Sequence, residues 1–154
     1  MQALPEQKAA LLEQWLEQTL ASYAGQTLRF LQGEKDGFRN PVGHILRVGL
    51  TTLLDEITGE MDLAKMRPAL EQIVRVRAVQ DFTPSQAVKF VYLLRDILPN
   101  DWAGGRTMDV QRRIDETALL AFDLYMKCRE EMYEIKAREA QRKVYVLERM
   151  SQRE

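Results

Sequence analysis

The chain has 154 residues, a length that suits one domain with a sizeable buried core. Its 45% hydrophobic and 29% charged residues exclude a globally disordered chain. A formal net charge of −1 excludes a protein that an overall positive field would draw to nucleic acid or to anionic lipid.

Cysteine content and hydropathy bear on the compartment. Cys128 is the single cysteine, so no intramolecular disulfide can form, which fits a reducing environment. The N-terminus MQALPEQKAALLEQ has no basic segment before an apolar one, unlike a secretory signal. The most apolar stretch, HILRVGLTTLLDEI, is interrupted by Arg47, Asp55 and Glu56. These features predict a soluble cytoplasmic protein that does not insert directly into a membrane.

The first half of the sequence predicts helices in chain order. Residues 5–23 place apolar and small side chains on one helical face: Leu11, Leu12, Trp15, Leu16, Thr19, Leu20 and Tyr23. A short helical piece is expected over residues 27–32. Asn40 then resembles an N-cap and Pro41 a first helical residue. The stripe that follows ends near Gly59 and consists of Val42, Ile45, Leu46, Leu50, Leu53, Leu54 and Ile57.

Two further helices are predicted before residue 100. Pro68 is expected to open the first, with Leu70, Ile73 and Val74 facing inward. For the second, Thr83, Pro84 and Gln86 form a capping box with proline at the first position, and Pro99 ends the helix. Its buried face is predicted to contain Ala87, Phe90, Val91, Leu94, Ile97 and Leu98. No segment has the alternation typical of a β-strand.

The last segment, from Met108 to about Met150, has neither glycine nor proline and as one continuous helix would span roughly 65 Å. The sequence leaves open whether this helix is broken near Cys128 and Arg129. Its first half carries a stripe expected to face the body: Val110, Ile114, Ala118, Ala121, Tyr125 and Cys128. Its second half carries a stripe spaced alternately by four and three residues: Tyr133, Ala137, Ala140, Val144 and Leu147. We therefore predict a helical body over residues 1–128 and a helical extension over residues 129–154.

The second stripe, which we call the seam, has two interpretations. Residues 129–154 hold seven basic and six acidic side chains, so the extension can be a solvated single helix stabilised by pairs four residues apart. The alternate spacing is also typical of a short coiled coil. We favour the second interpretation, in which the seam forms a homodimer or relays a signal to a partner. The balanced charge disfavours a basic membrane-binding helix.

Motifs for catalysis are absent from the sequence. It contains no Cys-x-x-Cys, no His-Glu-x-x-His and no glycine-rich phosphate loop, and a di-iron bundle would need two Glu-x-x-His motifs. None of Ser22, Ser85 and Ser151 lies in a turn typical of a nucleophile. We therefore expect a protein that is not an enzyme and that has no cofactor. A metal-dependent enzyme, with a metal site built from carboxylates and the single histidine, stays open as a less favoured alternative.

His44 is the only histidine and raises the question of a haem or metal ligand. It lies in the first turn of its predicted helix, where a solvent-facing or structural role is favoured. A ligand role and a pH-sensitive contact stay open as alternatives.

Other residues also allow both a structural and a functional interpretation. Arg75, Arg77 and Asp81 form a charged edge, interpreted as an exposed helix face with salt bridges in preference to a ligand site. Trp15 and Trp102 are expected in the core and in a lid, and no one-sided basic stripe predicts nucleic-acid binding. For Gly43 and Gly49, local tolerance and close packing of another helix are both open.

Three motifs in order resemble the N-terminal domain family of the RsbT co-antagonist proteins, the RsbRD N-terminal family. They are Asn40-Pro41-Val42-Gly43-His44, then the stretch RVRAVQDF from Arg75 through Arg77 and Asp81 to Phe82, then PSQA from Pro84. The resemblance covers roughly residues 5–125.

This resemblance implies an all-α, globin-like helical bundle of about five to six helices with a long protruding C-terminal helix. Related domains have a globin-like fold without haem. Such domains dimerise, signal through their last helix and usually precede an output domain, either a phosphorylatable STAS domain in stressosome proteins or a kinase. No such domain follows the last helix here, so the phosphorylation chemistry is not carried over, and the output is expected in a separate protein or beyond this sequence.

The expected function is a non-enzymatic cytoplasmic sensor or adaptor of signal transduction. It would act through dimerisation and protein–protein contacts, without nucleic acid. The alternative is a globin-like sensor of haem or another small ligand that uses His44.

Overall fold

The computed structural model describes residues 4–23, 33–100, 102 and 107–153. Within these ranges the secondary structure is helical and contains no strand, which confirms the all-α class. The described helices are α1 (Leu4–Leu20), α2 (Pro41–Ile57), α3 (Leu63–Val79), α4 (Pro84–Ile97) and α5 (Thr107–Ser151). The short helical piece predicted over residues 27–32 lies outside the described residues. The globin-like arrangement stays a prediction.

The start of α2 is built from the first motif. The side chain of Asn40 accepts a hydrogen bond from the backbone N–H of Gly43 at 2.9 Å, and Pro41 occupies the first turn, as predicted. A β-carbon on Gly43 would lie 2.4 Å from Nδ2 of Asn40. Glycine at this position therefore leaves the space into which the capping side chain folds.

The predicted start of α3 is wrong. The helix begins at Leu63, because the Asp62 carboxylate accepts from the N–H of Ala64 at 3.0 Å and caps it one turn earlier. Met66, in that first turn, is fully buried, so packing also stabilises the earlier start. Pro68 consequently lies inside the helix, where its missing N–H removes one backbone hydrogen bond.

The start of α4 is the predicted one. The hydroxyl of Thr83 accepts from the N–H of Gln86 at 3.3 Å, and the Gln86 side chain accepts from the N–H of Thr83 at 3.0 Å. Both halves of the capping box are thus formed, and Pro84 is the first helical residue.

The core is formed by the inward faces of all five helices. In the chain, α2 packs on α3, while α5 packs on α3 and α4 and α1 packs on α2 and α4. Trp15 is fully buried, as predicted, and its indole N–H donates to the carbonyl of Phe90 at 2.7 Å. Trp102 is also buried. A β-carbon on Gly49 would lie 2.7 Å from Cδ1 of Ile73, so this glycine permits close packing of α2 on α3.

Helix α5 is continuous over 45 residues, which corresponds to roughly 68 Å. The six residues predicted to face the body are all buried, from Val110 to Cys128. From Tyr133 to Arg153 every side chain is exposed. The same helix is therefore part of the core at one end and free of contacts with the described body at the other.

Candidate functional site

The point at which α5 leaves the body is the candidate site, and we call it the exit junction. It consists of residues 75–82, which end α3 and turn toward α4, and residues 125–133 of α5. Three contacts join the two segments. Tyr125 donates its hydroxyl hydrogen bond to the carbonyl of Phe82, and Arg129 donates to the carbonyl of Ala78 at 3.5 Å. The third is an ion pair.

This ion pair is formed by Arg75, whose guanidinium lies 3.7 Å from the Glu131 carboxylate of α5. Arg75 also pairs with Glu71 at 3.0 Å, one turn earlier on α3. Its side chain is 54% exposed, so the predicted salt-bridged helix face is correct for this residue. Such an exposed pair stabilises weakly and responds to salt.

For Arg77 the exposed-edge prediction is wrong, because this side chain is only 1% exposed. Its Nε donates to the carbonyl of Ala87 at 3.0 Å and its Nη2 to the carbonyl of Gln86 at 2.8 Å, both in the first turns of α4. Its Nη1 donates to the hydroxyl of Ser22, just after α1, at 3.2 Å. One buried guanidinium thus joins α1, α3 and α4.

Three aromatic rings surround this guanidinium. Its central carbon lies 4.4 Å from the ring centroid of Phe82, 5.4 Å from that of Phe90 and 5.6 Å from that of Tyr23. Tyr23 and Phe82 also meet edge to face, with centroids 5.4 Å apart. In the part of the chain that the structure describes, no carboxylate pairs with Arg77. Carbonyl oxygens and ring faces therefore compensate its charge.

Burial changes the acidity of this cluster in the expected directions. Loss of hydration lowers the pKa of the Arg77 guanidinium, and the Tyr23 phenol opposes that change. Burial raises the pKa of the Tyr23 hydroxyl, which the positive charge of Arg77 opposes in turn. At neutral pH the arginine remains charged and the tyrosine neutral.

Asp81 serves the turn between α3 and α4. Its φ of 61° lies in the left-handed region, which aspartate tolerates better than most residues. This conformation folds Phe82 back, so that the N–H of Phe82 donates to the carbonyl of Arg77 at 3.4 Å. The ring of Phe82 thereby covers Arg77, while its carbonyl accepts from Tyr125 of α5. Phe82 thus contacts both Arg77 and α5.

The structure accordingly brings together two of the three motifs. Arg77 of the second motif binds the backbone of Gln86 and Ala87 in the third, and Pro84 opens that helix. Asn40, Pro41 and Gly43 of the first motif instead cap α2. Sequence reasoning missed the hydrogen bonds that Tyr125 and Arg129 make to the α3–α4 turn and the end of α3. Tyr125, Arg129 and Tyr133 follow one another at intervals of four residues, which places them on one face of α5. That spacing was the available signal.

His44 lies exposed in the first turn of α2, in agreement with the favoured interpretation. It borders a groove of about 610 Å³, lined in part by Glu13, Glu17, Glu34, Lys35 and Arg47. Arg47 and Glu13 pair across α2 and α1 at 2.5 Å, and this hydrogen bond lowers the pKa of the Glu13 carboxyl. A charged lining of this kind does not fit haem, whose porphyrin needs a largely apolar pocket.

The seam residues all lie on exposed helix. Tyr133, Val144 and Leu147 are 57%, 54% and 65% exposed, and Ala137 and Ala140 between them are exposed as well. Ile135 and Val146 are exposed on another face of the same extension. Because apolar side chains in water are unfavourable, this length of helix offers surface that a partner can bury.

The described ranges contain neither a metal-binding cluster nor a membrane span. Across residues 4–23, 33–100, 102 and 107–153, no three histidine, cysteine, aspartate or glutamate side chains come close enough to bind one metal ion. The helices in those ranges include none with the length and hydropathy of a membrane span.

Comparison with known proteins identifies a family. The family described as RsbT co-antagonist protein rsbRD N-terminal domain matches residues 9–140. No curated protein and no solved structure matches the chain. The matched range contains the whole exit junction and the beginning of the seam, up to Ala140.

Proposed function

Because the chain belongs to the RsbT co-antagonist protein rsbRD N-terminal domain family, we propose that it is a non-enzymatic sensor or adaptor domain of cytoplasmic signal transduction. In this proposal it acts by contacts with other proteins, namely a second copy of itself and a separate signalling protein or output domain. The family supports a signalling domain of the stressosome type.

The observation that carries the proposal is the continuity of α5. Residues 110–128 bury one face in the core, residues 133–151 are exposed, and no break separates them. A continuous helix moves as a rod, so a rotation or shift at the exit junction also displaces the exposed end. Small shifts of packed helices are a common way to couple two sites.

The exit junction supplies the connection to the body. Phe82 binds Tyr125 of α5 through its carbonyl and covers Arg77 with its ring. Arg77 in turn binds the ends of α1 and α4. A ligand or partner that displaces any of these elements would therefore change the position of α5 relative to the body. This change of position is the basis of the proposed signal.

Dimerisation through the seam is tested by light scattering. We expect the chain to have twice its monomer mass and the double variant Ala140→Asp, Leu147→Asp to have the monomer mass. The matched control is Ile135→Asp, Val146→Asp, which places the same charges on the same helix but off the seam and should remain a dimer. Equal masses for the two double variants would contradict a dimer built on the seam.

A further inference from the structure

The extension of α5 carries most of its arginines on one face. Four of the five arginines that follow Cys128 stand at intervals of four, seven and four residues: Arg138, Arg142, Arg149 and Arg153. At 3.6 residues per turn, these intervals keep the four directions within roughly 60° of one another. The first three lie in α5, and Arg153 lies in the turn that follows, where its N–H donates to the carbonyl of Met150 at 3.3 Å. We call this surface the arginine face.

Apolar side chains share this face. Ile135 and Val146 point in nearly the same direction as the arginines and are 55% and 47% exposed. With them, the face repeats at intervals of three and four residues, in the order Ile135, Arg138, Arg142, Val146, Arg149 and Arg153. This spacing is typical of a helix surface that packs against another helix. The face lies roughly opposite the seam, so it stays accessible when the seam is buried.

The arginines are not neutralised within the chain. No carboxylate of the described residues, among 107–153 or in the body, forms an ion pair with any of the four guanidinium groups. Glu134 and Glu139 stand four and three residues before Arg138 and Arg142, but they lie on the two flanks of the face and remain unpaired with it. All four arginines are exposed. The face therefore presents four positive charges along roughly 22 Å of the chain.

The residue type indicates what this face recognises. Basic charge as a whole is not one-sided on the extension, because Lys136 and Lys143 point to a different side of the helix. Only arginine is concentrated on the face, and its planar guanidinium binds a carboxylate through two parallel hydrogen bonds. Glutamate and aspartate on a helix repeat at the same intervals of three and four residues. Such a helix also supplies apolar groups for Ile135 and Val146, which a phosphate backbone does not.

We propose that the arginine face binds an acidic amphipathic helix of a different protein. This inference rests on the proposed function, contact with other proteins, and names the chemistry of one partner. The partner helix places carboxylates against the four arginines and apolar side chains against Ile135 and Val146. Because α5 is continuous from the exit junction to this face, a displacement of the helix at the junction moves the bound partner relative to the body.

A synthetic peptide tests this proposal with the full chain. The probe is a fluorescein-labelled peptide of about 21 residues, roughly 30 Å as a helix, with glutamate and leucine at intervals of three and four on one face and alanine elsewhere. The control peptide has glutamine in place of each glutamate. By fluorescence anisotropy at low salt, we expect the glutamate peptide to bind more tightly than the glutamine peptide and to lose affinity as salt rises. If light scattering finds a dimer that does not bind the glutamate peptide, this inference is overturned while the proposed dimerisation stands.

Two double variants locate the binding site. The first, Arg142→Gln, Arg149→Gln, removes two charges from the arginine face and should raise the Kd of the glutamate peptide on the order of tenfold. The matched control, Lys136→Gln, Lys143→Gln, removes the same charge from another side of the same helix and should leave this Kd unchanged. All four positions are exposed, and glutamine is as good a helix former as either residue, so both variants should keep the fold. Equal Kd values for the two double variants would overturn the proposal.

Two more measurements separate specific recognition of a helix from attraction to any polyanion. Arg142→Lys, Arg149→Lys keeps the charge but loses the planar donors, so its Kd for the glutamate peptide should lie between those of the original protein and the glutamine variant. A labelled DNA duplex of about 20 base pairs should bind more weakly than the peptide, because phosphates leave Ile135 and Val146 uncovered. Duplex binding that is tighter than peptide binding and unchanged in Ile135→Asp, Val146→Asp would overturn the choice of a protein helix.

Discussion

Replacement of Arg77 by alanine should destabilise the fold far more than the same change at Arg75. The guanidinium of Arg77 makes three hydrogen bonds and lies among three rings with 1% exposure, whereas Arg75 is 54% exposed. At about 1.5 kcal/mol for each hydrogen bond from a charged donor, the loss would be about 4.5 kcal/mol. Burying a charge without a carboxylate also has a hydration cost, which the variant recovers, so we expect a net loss of about 3 kcal/mol.

The measurement is urea unfolding followed by circular dichroism at one fixed protein concentration, because association changes apparent stability. With a slope of about 2 kcal/mol per molar urea, a loss of about 3 kcal/mol lowers the midpoint by about 1.5 M. Arg75→Ala should change the free energy of unfolding by less than about 1 kcal/mol. Arg77→Met, which keeps most of the side-chain volume, separates lost hydrogen bonds from lost packing and should fall between the two. Equal midpoints for Arg75→Ala and Arg77→Ala would refute the reasoning.

Three further predictions concern residues that contact or support this cluster. Tyr125→Phe keeps the ring but loses the hydrogen bond to the carbonyl of Phe82, and should lower the free energy of unfolding in urea by about 1 kcal/mol. Gly49→Ala places a β-carbon 2.7 Å from Cδ1 of Ile73, and this clash should outweigh the gain in helix propensity, so that the free energy of unfolding falls by about 1 kcal/mol. Ile73→Val removes Cδ1, so a double-mutant cycle should show a smaller loss for Gly49→Ala in that background. Burial raises the pKa of Tyr23 above its ordinary value of 10.0, so its stabilising contribution is complete below that pH and is lost as the pH rises through the raised value. The free energy of unfolding should therefore fall less in Tyr23→Phe than in the original protein between about pH 9 and 11. Equal falls in the two proteins would contradict this.

Short-range signals accounted for most of the predicted helices. Asn40 with Pro41, and Thr83 with Pro84 and Gln86, act on backbone groups two or three residues away, so their pattern could be read without knowledge of the fold. Pro68 misled for a related reason. Proline is compatible with a first turn but does not require one, and the Asp62 cap together with burial of Met66 starts the helix earlier.

The burial of the charged Arg77 side chain could not be predicted from such short-range signals. Arg75 and Arg77 stand two positions apart in RVRAVQDF and look alike in the sequence. On a helix, residues two apart point in directions roughly 200° apart. Arg75 therefore reaches α5 and solvent, while Arg77 points beneath the turn between α3 and α4. Which of the two is buried depends on Ser22, Phe90 and the start of α4, up to 55 residues away in the chain.

The length of the last helical segment and the change in its apolar stripe after Cys128 follow from residue order, because helical periodicity is local. That the helix continues without a break past Cys128 was decided by the structure. The exit junction was decided only in three dimensions. Its contacts join α1, α3, α4 and α5, and a hydrogen bond such as that from Tyr125 to Phe82 forms only after packing has brought distant segments together. Packing of non-local segments also pulled a charged arginine into the core, where carbonyl groups and aromatic rings replaced the water it lost.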